Sequence, residues 1–84
     1  MLNSLRLEID EIDEKLICLL AKRLQIAQSI GEHKKEKGLD PLDEVRWQKV
    51  INSRIKIGKR HKLSKQFISR VWEEIHFGSL EVQK

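Results

Sequence analysis

One basic side chain in this sequence falls on an apolar helical seam, and a second lies above it on the same helical face. Arg23 interrupts the stretch ICLLAKRLQIAQSI, and Lys34 follows eleven residues later. Because eleven residues make about three helical turns, both side chains lie on one face of a helix. A guanidinium stays charged in proteins, so its burial without a partner is costly. The pair predicts either an anion bound between the two side chains or an ion pair between Arg23 and an acidic residue across a helix interface.

Two further groups of polar residues interrupt the apolar pattern. Asp43 and Arg46 are one helical turn apart, which suits either a capping carboxylate with a surface ion pair or part of a site. His76, Ser79 and Gln83 are spaced by three and four residues, so they share one helical face. That face either lines a pocket or forms the solvated edge of a fraying C-terminal helix. Taken in isolation, each group favours the surface interpretation.

The remaining side chains exclude several kinds of catalytic site. No Ser-His-Asp grouping, phosphate loop or metal-ligand spacing is present, and His33 and His61 are interpreted as surface residues. We therefore expect a site that works without a nucleophile, a metal or another cofactor.

The single cysteine, Cys18, cannot form an internal disulfide, which indicates the cytosol. No apolar run approaches the ~20 residues of a membrane-spanning helix, and the acidic segment MLNSLRLEIDE does not resemble a signal peptide.

Length and charge limit the classes of partner. The 84 residues suffice for one small domain, which we place over residues 1–84. The formal net charge is +4, and a basic domain is a candidate nucleic-acid binder. However, no aromatic side chains alternate with the cations to stack on bases, and the stretch KIGKRHKLSK is typical of a turn between two helices. Small anionic substrates explain the same excess of charge, so neither a nucleic-acid nor a membrane partner is expected.

The apolar periodicity predicts an all-α fold of three helices, the first of which is long. From residue 3 to Lys37 the apolar intervals alternate between four and three, which is a heptad seam. Gly38 is expected to cap this helix. At about 1.5 Å per residue the helix would be ~50 Å long, about twice the diameter of a monomeric domain of this size. We therefore expect a partner helix, most simply from a second copy of the chain. The seam positions are Leu5, Ile9, Ile12, Leu16, Leu19, Arg23, Ile26 and Ile30.

The segment Asp-Pro-Leu-Asp predicts the start of the second helix. Asp40 is the expected N-cap, with Pro41 in the first turn and Asp43 at the third position. We expect this helix to run to about Ile57 and to end at Gly58.

A third helix is expected over residues 65–82, because Ser64 is a favourable N-cap. Two glycines, Gly31 and Gly78, then fall inside helices, where each costs ~1 kcal/mol relative to alanine. Close packing against another backbone, or room for a ligand, would explain them.

Taken together and in order, these segments resemble a known family. They are LRLEIDEIDEKLICLLAKR, IGEHKK, the Asp43-to-Arg46 spacing, the GK turn with LSKQFI, and EEIHFGSLEVQ. The set resembles the all-helical chorismate mutases over essentially the whole chain. The resemblance implies an intertwined homodimer with two active sites built from both chains. It also implies the pericyclic conversion of chorismate to prephenate, in the pathway to phenylalanine and tyrosine, without a covalent intermediate or a cofactor.

The resemblance also implies roles for the polar residues. Arg6 matches an arginine that reaches a substrate carboxylate from the other protomer, and Arg23 matches one that binds a carboxylate from within the chain. Lys34 matches a lysine that contacts a carboxylate and the ether oxygen, and Gln83 matches a glutamine that donates to that oxygen. Arg6 and Lys34 would be ~42 Å apart along one helix, so they cannot reach one small ligand within a single chain.

At the start of the second helix the sequence departs from the family pattern. Asp43 matches an acidic position near the ring hydroxyl, Arg46 an adjacent arginine, and Ser79 a pocket serine. Many members carry a glutamate that binds the ring hydroxyl where this chain has Trp47, and an indole only donates hydrogen bonds. The Arg-Trp pair with Ile-His-x-x-Ser resembles a branch that is often fused to another shikimate-pathway enzyme. An association with such an enzyme is therefore an expectation.

Three alternatives stay open beside the mutase. Isochorismate pyruvate lyase shares this fold and much of the cationic site. Because Trp47 departs from the family pattern after Arg46, the lyase is retained as an alternative. A regulatory module would retain the pocket but turn over little substrate. A nucleic-acid-binding helical domain is suggested by charge alone and predicts steeply salt-dependent binding.

Overall fold

The computed structural model describes residues 1–84 and contains three α-helices and no strand. Helix α1 spans Leu2–Glu36, α2 spans Glu44–Arg60 and α3 spans Lys65–Glu81. The predicted all-α class is therefore confirmed. α3 packs against both α1 and α2, whereas α1 and α2 do not pack directly on each other. None of the helices combines the length and the hydropathy needed to cross a bilayer.

Helix α1 ends as its sequence predicts. Gly38 adopts a left-handed conformation with φ of 68°. Its N–H donates to the carbonyl of Lys35, and the N–H of Leu39 donates to the carbonyl of Lys34. This pair of bonds is the Schellman motif, in which glycine avoids the steric cost of a positive φ.

The predicted start of α2 is wrong by three residues. Asp43, not Asp40, is the N-cap, and its Oδ1 accepts from the N–H of Arg46 at 3.0 Å. The Oδ1 of Asp40 accepts from the N–H of Leu42, which forms a local turn before the helix. The carbonyl of Pro41 accepts from the Lys34 ammonium instead of a helical N–H. A contact with α1 thus keeps Pro41 outside α2.

The predicted end of α2 is also wrong, because Gly58 lies inside the helix. An added Cβ at Gly58 would lie 2.5 Å from the Ile68 side chain, so glycine here permits close packing of α2 on α3. The helix continues to Arg60, and Lys62 takes the left-handed position that ends it, with φ of 64°.

Helix α3 begins at the predicted residue. The Ser64 hydroxyl oxygen accepts from the N–H of Phe67 at 3.1 Å, which confirms the N-cap. The last helical residue is Glu81, one residue before the predicted end.

The single chain is elongated and has a very small core. Its radius of gyration is 15.6 Å, whereas a compact domain of this length has a value of about 12 Å. The only buried hydrophobic side chains are Ala27, Val50 and Ile68, and no large side chain is fully buried. The apolar positions of the α1 seam are about half exposed, from 47% at Ile30 to 62% at Ile26. One chain therefore leaves most of its apolar surface uncovered.

Candidate functional site

A cavity of about 490 Å³ opens between α1 and α2 and is lined on a further side by α3. The cavity brings together six of the seven predicted site residues, which are Arg23, Lys34, Asp43, Arg46, Ser79 and Gln83. The seventh, Arg6, is exposed near the start of α1 and does not line this cavity.

The polar face of α3 is not a solvated edge. Ser79 is 8% exposed and Gln83 is 7% exposed, and both line the cavity together with His76. The interpretation of this face as a fraying surface was therefore wrong. The spacing of His76, Ser79 and Gln83 by three and four residues correctly indicates a pocket.

Arg23 is held in place by a neutral partner rather than by a carboxylate. Its Nη1 donates to the Ser79 hydroxyl oxygen at 3.0 Å, and that hydroxyl donates to the carbonyl of Ile75 at 2.9 Å. Burial lowers the pKa of Arg23 from its ordinary value, and the positive charges of Arg54 and Arg46 lower it further. No acidic residue of this chain pairs with Arg23, so its charge is uncompensated within the chain.

Lys34 joins the C-terminus of α3 to the connection between α1 and α2. Its Nζ donates to the Oε1 of Gln83 at 2.9 Å and also to the carbonyl of Pro41. The Nε2 of Gln83 donates to the carbonyl of Ser79 at 3.1 Å, which fixes the amide. An amide nitrogen carries two hydrogens, so Gln83 keeps one donor for a ligand beside the Lys34 ammonium.

Arg46 contributes a further unpaired cation. The Asp43 carboxylate accepts from the backbone N–H of Arg46, and the two side chains do not form the predicted surface ion pair. The one ion pair in the chain joins Lys84 to Glu81. Three cationic side chains, those of Arg23, Lys34 and Arg46, thus line the cavity without an anionic partner.

Trp47 and His76 form a stacked pair in the same cavity. Their ring centroids are 4.0 Å apart and the ring planes differ by 11°. Burial lowers the pKa of His76 from its usual value; the Glu44 carboxylate opposes this, and Arg23 adds to it. Sequence reasoning identified both residues but did not bring them together, since they are far apart in the chain. No group of three or more His, Cys, Asp or Glu side chains is placed to hold a metal ion.

Gly31 allows the C-terminus of α3 to approach α1. A Cβ added at Gly31 would lie 2.7 Å from the Cα of Gln83, closer than real Cβ atoms come to backbone. We expect Gly31→Ala to push Gln83 away from Lys34. For a reaction that takes place in this cavity, kcat should fall by about tenfold to a hundredfold, because small misplacements of the groups that hold a substrate are costly. Steady-state kinetics measure this effect.

Gly78→Ala is the matched control for that substitution. A Cβ at Gly78 would meet only Leu24 Cδ2, at an ordinary 3.7 Å. We expect this variant to keep its activity and to gain up to about 1 kcal/mol of stability from helix propensity. Equal activity of Gly31→Ala and Gly78→Ala would show that Gly31 does not position Gln83.

The comparison with known families agrees with this geometry. The sequence model of the chorismate mutase type II family matches residues 5–84, nearly the whole chain. The chain belongs to the chorismate mutase type II family. The resemblance seen in the sequence is thereby confirmed.

The relatives of the chain include bifunctional proteins and a protein named chorismate mutase. It is 32% identical over 82 residues to the bifunctional chorismate mutase/prephenate dehydratase of Buchnera aphidicola subsp. Schizaphis graminum, covering 96% of this chain and 21% of that protein. The bifunctional protein of Escherichia coli (strain K12) is 32% identical over 81 residues, with 96% and 21% covered. A chorismate mutase of Methanocaldococcus jannaschii is 32% identical over 73 residues, with 86% and 73% covered. The chain thus spans about a fifth of the bifunctional relatives.

Proposed function

We propose that this chain catalyses the rearrangement of chorismate to prephenate. The observation that carries the proposal is the set of unpaired cations, Arg23, Lys34 and Arg46, around one cavity that also holds the Gln83 amide. Chorismate is a dianion of small size, and the cavity volume of about 490 Å³ is within the usual range for small-molecule sites. Family membership and the relatives named as chorismate mutases support the same reaction.

The proposed mechanism needs positioning and charge stabilisation but no nucleophile. Arg23 binds a substrate carboxylate, which holds the flexible dianion in a compact geometry close to that of the transition state. Negative charge grows on the ether oxygen as its bond to carbon breaks. The Lys34 ammonium and the free amide hydrogen of Gln83 stabilise that charge in a site partly shielded from water. Their mutual hydrogen bond at 2.9 Å holds them in place before the substrate arrives.

The remaining cavity residues support this geometry. Arg46 adds positive charge near the second carboxylate, and Ser79 fixes the Arg23 guanidinium through its hydroxyl. Asp43 stands at the start of α2, where its carboxylate caps the helix at the wall of the cavity. These are roles in binding and orientation.

We also propose that the active form is a homodimer in which each site is completed by Arg6 of the other chain. The half-exposed heptad seam of α1 and the lack of a large buried side chain support a second copy as its partner. Arg6 lies on the same helix as Lys34 but ~42 Å away, so only a partner's Arg6 is in reach of the cavity. An association with another shikimate-pathway enzyme is a further proposal, which the bifunctional relatives support.

One specific observation keeps a second activity in view. Trp47 stands where many members have a glutamate, so the contact with the ring hydroxyl differs from theirs. Isochorismate pyruvate lyase, with much the same cationic site, is therefore the alternative enzyme.

Chorismate and isochorismate assayed side by side test the proposal. We expect prephenate from chorismate and no salicylate from isochorismate. Salicylate formation would favour the lyase. Tight binding of prephenate with negligible turnover of either substrate would favour a regulatory module instead.

A further inference from the structure

His76 has hydrogen-bonding atoms that the protein does not use. The other neutral side chains of the cavity that can accept a hydrogen bond already have partners: Ser79 accepts from Arg23, and Gln83 accepts from Lys34. The His76 ring takes part in no hydrogen bond within the chain, and its contact with Trp47 is a stack of ring faces. Its edge, which carries both nitrogens, therefore remains available to a ligand in the cavity.

Trp47 restricts the orientation of that ring. With the centroids 4.0 Å apart and the planes within 11°, the indole covers one face of the imidazole. Such a stack removes rotational freedom, so less entropy is lost when the ring edge binds a ligand. Since Trp47 is on α2 and His76 on α3, the stack also joins two walls of the cavity.

The surroundings favour the neutral form of His76. Burial lowers its pKa below the ordinary value of 6.5; the Glu44 carboxylate raises it, and the charges of Arg23 and Lys34 lower it. A neutral imidazole has one donor and one acceptor nitrogen, so it can both donate to and accept from a hydroxyl group. The charged side chains that face the ring or share its cavity are those of Arg23, Lys34, Asp43, Glu44 and Arg46.

The chemistry of the substrate in the proposed function supplies one group that suits such a side chain. Chorismate carries two carboxylates, an ether oxygen and a single neutral hydroxyl on its ring. The three cations can bind the two carboxylates and the ether oxygen, which leaves the ring hydroxyl without an assigned partner. We infer that the His76 ring edge hydrogen-bonds this hydroxyl and that Trp47 is the positioning residue for His76. The inference rests on the proposed function and adds a residue that determines specificity.

Two substrates test this assignment: chorismate and an analogue in which hydrogen replaces the ring hydroxyl. We expect the wild-type chain to prefer chorismate by about tenfold in kcat/KM, the value of one well-formed hydrogen bond. In His76→Ala that preference is expected to fall to about one. His76→Phe retains the stack without nitrogens and should behave in the same way, which separates loss of contact from loss of folding.

The ratio of kcat/KM for chorismate to kcat/KM for the analogue also tests the role of Trp47. Trp47→Ala should lose most of the preference, and Trp47→Phe should retain it, because an aromatic face suffices to orient the ring. A merely structural role would lower kcat/KM for both substrates equally. His61→Ala, an exposed histidine outside the cavity, is the matched control and should keep the wild-type ratio.

Several results would overturn the inference. A wild-type chain that does not discriminate between the two compounds, or histidine variants that keep the preference, would do so. Loss of the preference in Asp43→Asn, which keeps a capping side chain, with its retention in His76→Ala would assign the hydroxyl to Asp43. If the wild type binds chorismate without converting it, the proposed function fails; calorimetric affinities for the two compounds then decide the role of His76.

Discussion

Arg23→Ala is expected to lower kcat/KM for chorismate by about a hundredfold to a thousandfold, because truncating one charged partner of a buried ionic contact costs several kcal/mol. Arg23 lies in the cavity without a carboxylate partner, held by the Ser79 hydroxyl at 3.0 Å. Its positive charge is therefore available to a substrate carboxylate. Steady-state kinetics measure the loss, and Arg70→Ala, an exposed arginine of α3 outside the cavity, is the matched control.

The stability of an Arg23 variant distinguishes a binding role from a structural role. Burial and the nearby charges of Arg54 and Arg46 lower the pKa of Arg23, so its charged form is disfavoured where it lies. Arg23→Met removes the charge and keeps an apolar stem of similar length. We expect its melting temperature to equal or exceed that of the wild type while its activity is lost. An unfolded variant whose residual folded fraction keeps full activity would show that Arg23 serves the fold.

Arg6→Ala is expected to lower kcat/KM by at least about a hundredfold, because truncating a charged partner of a buried ionic contact costs several kcal/mol. This effect is large for a residue that is exposed and far from the cavity of its own chain. The expected cause is the loss of a carboxylate contact in the partner's site. Lys15→Ala, another exposed cation of α1, is the matched control and should retain activity. Wild-type kinetics for Arg6→Ala would contradict a site shared between chains.

The features predicted correctly from the sequence depend on local spacing. The length of α1, the glycine after it and the Ser64 cap follow from apolar periodicity and from hydrogen bonds within a few residues. The same holds for the common face of Arg23 and Lys34. Family resemblance then identified the cavity residues on α2 and α3, for which spacing alone favoured a surface interpretation.

The features that were missed depend on contacts between distant parts of the chain. Asp40 carries the stronger local capping signal because Pro41 follows it, and the hydrogen bond from Lys34 to the Pro41 carbonyl, a contact between distant residues, is what keeps Pro41 outside α2. Gly58 has the local character of a helix end, yet its packing against Ile68 places it inside α2.

The stack of Trp47 on His76 likewise joins two helices and leaves no signal in either helical pattern. Each partner shows only that it lies on an inward face. The pairing becomes visible once α3 is placed against α2.

The central claim, that each site is built from two chains, is tested most directly by mixing two inactive variants. In a mixed dimer of Arg6→Ala with Lys34→Ala, one site combines both substitutions and the other has both native side chains. Random exchange of subunits makes about half of the dimers mixed, so we expect about a quarter of the wild-type activity to return. Native mass spectrometry confirms that mixed dimers have formed. Mixed dimers without restored activity, or a folded monomer with full activity, would contradict the shared site.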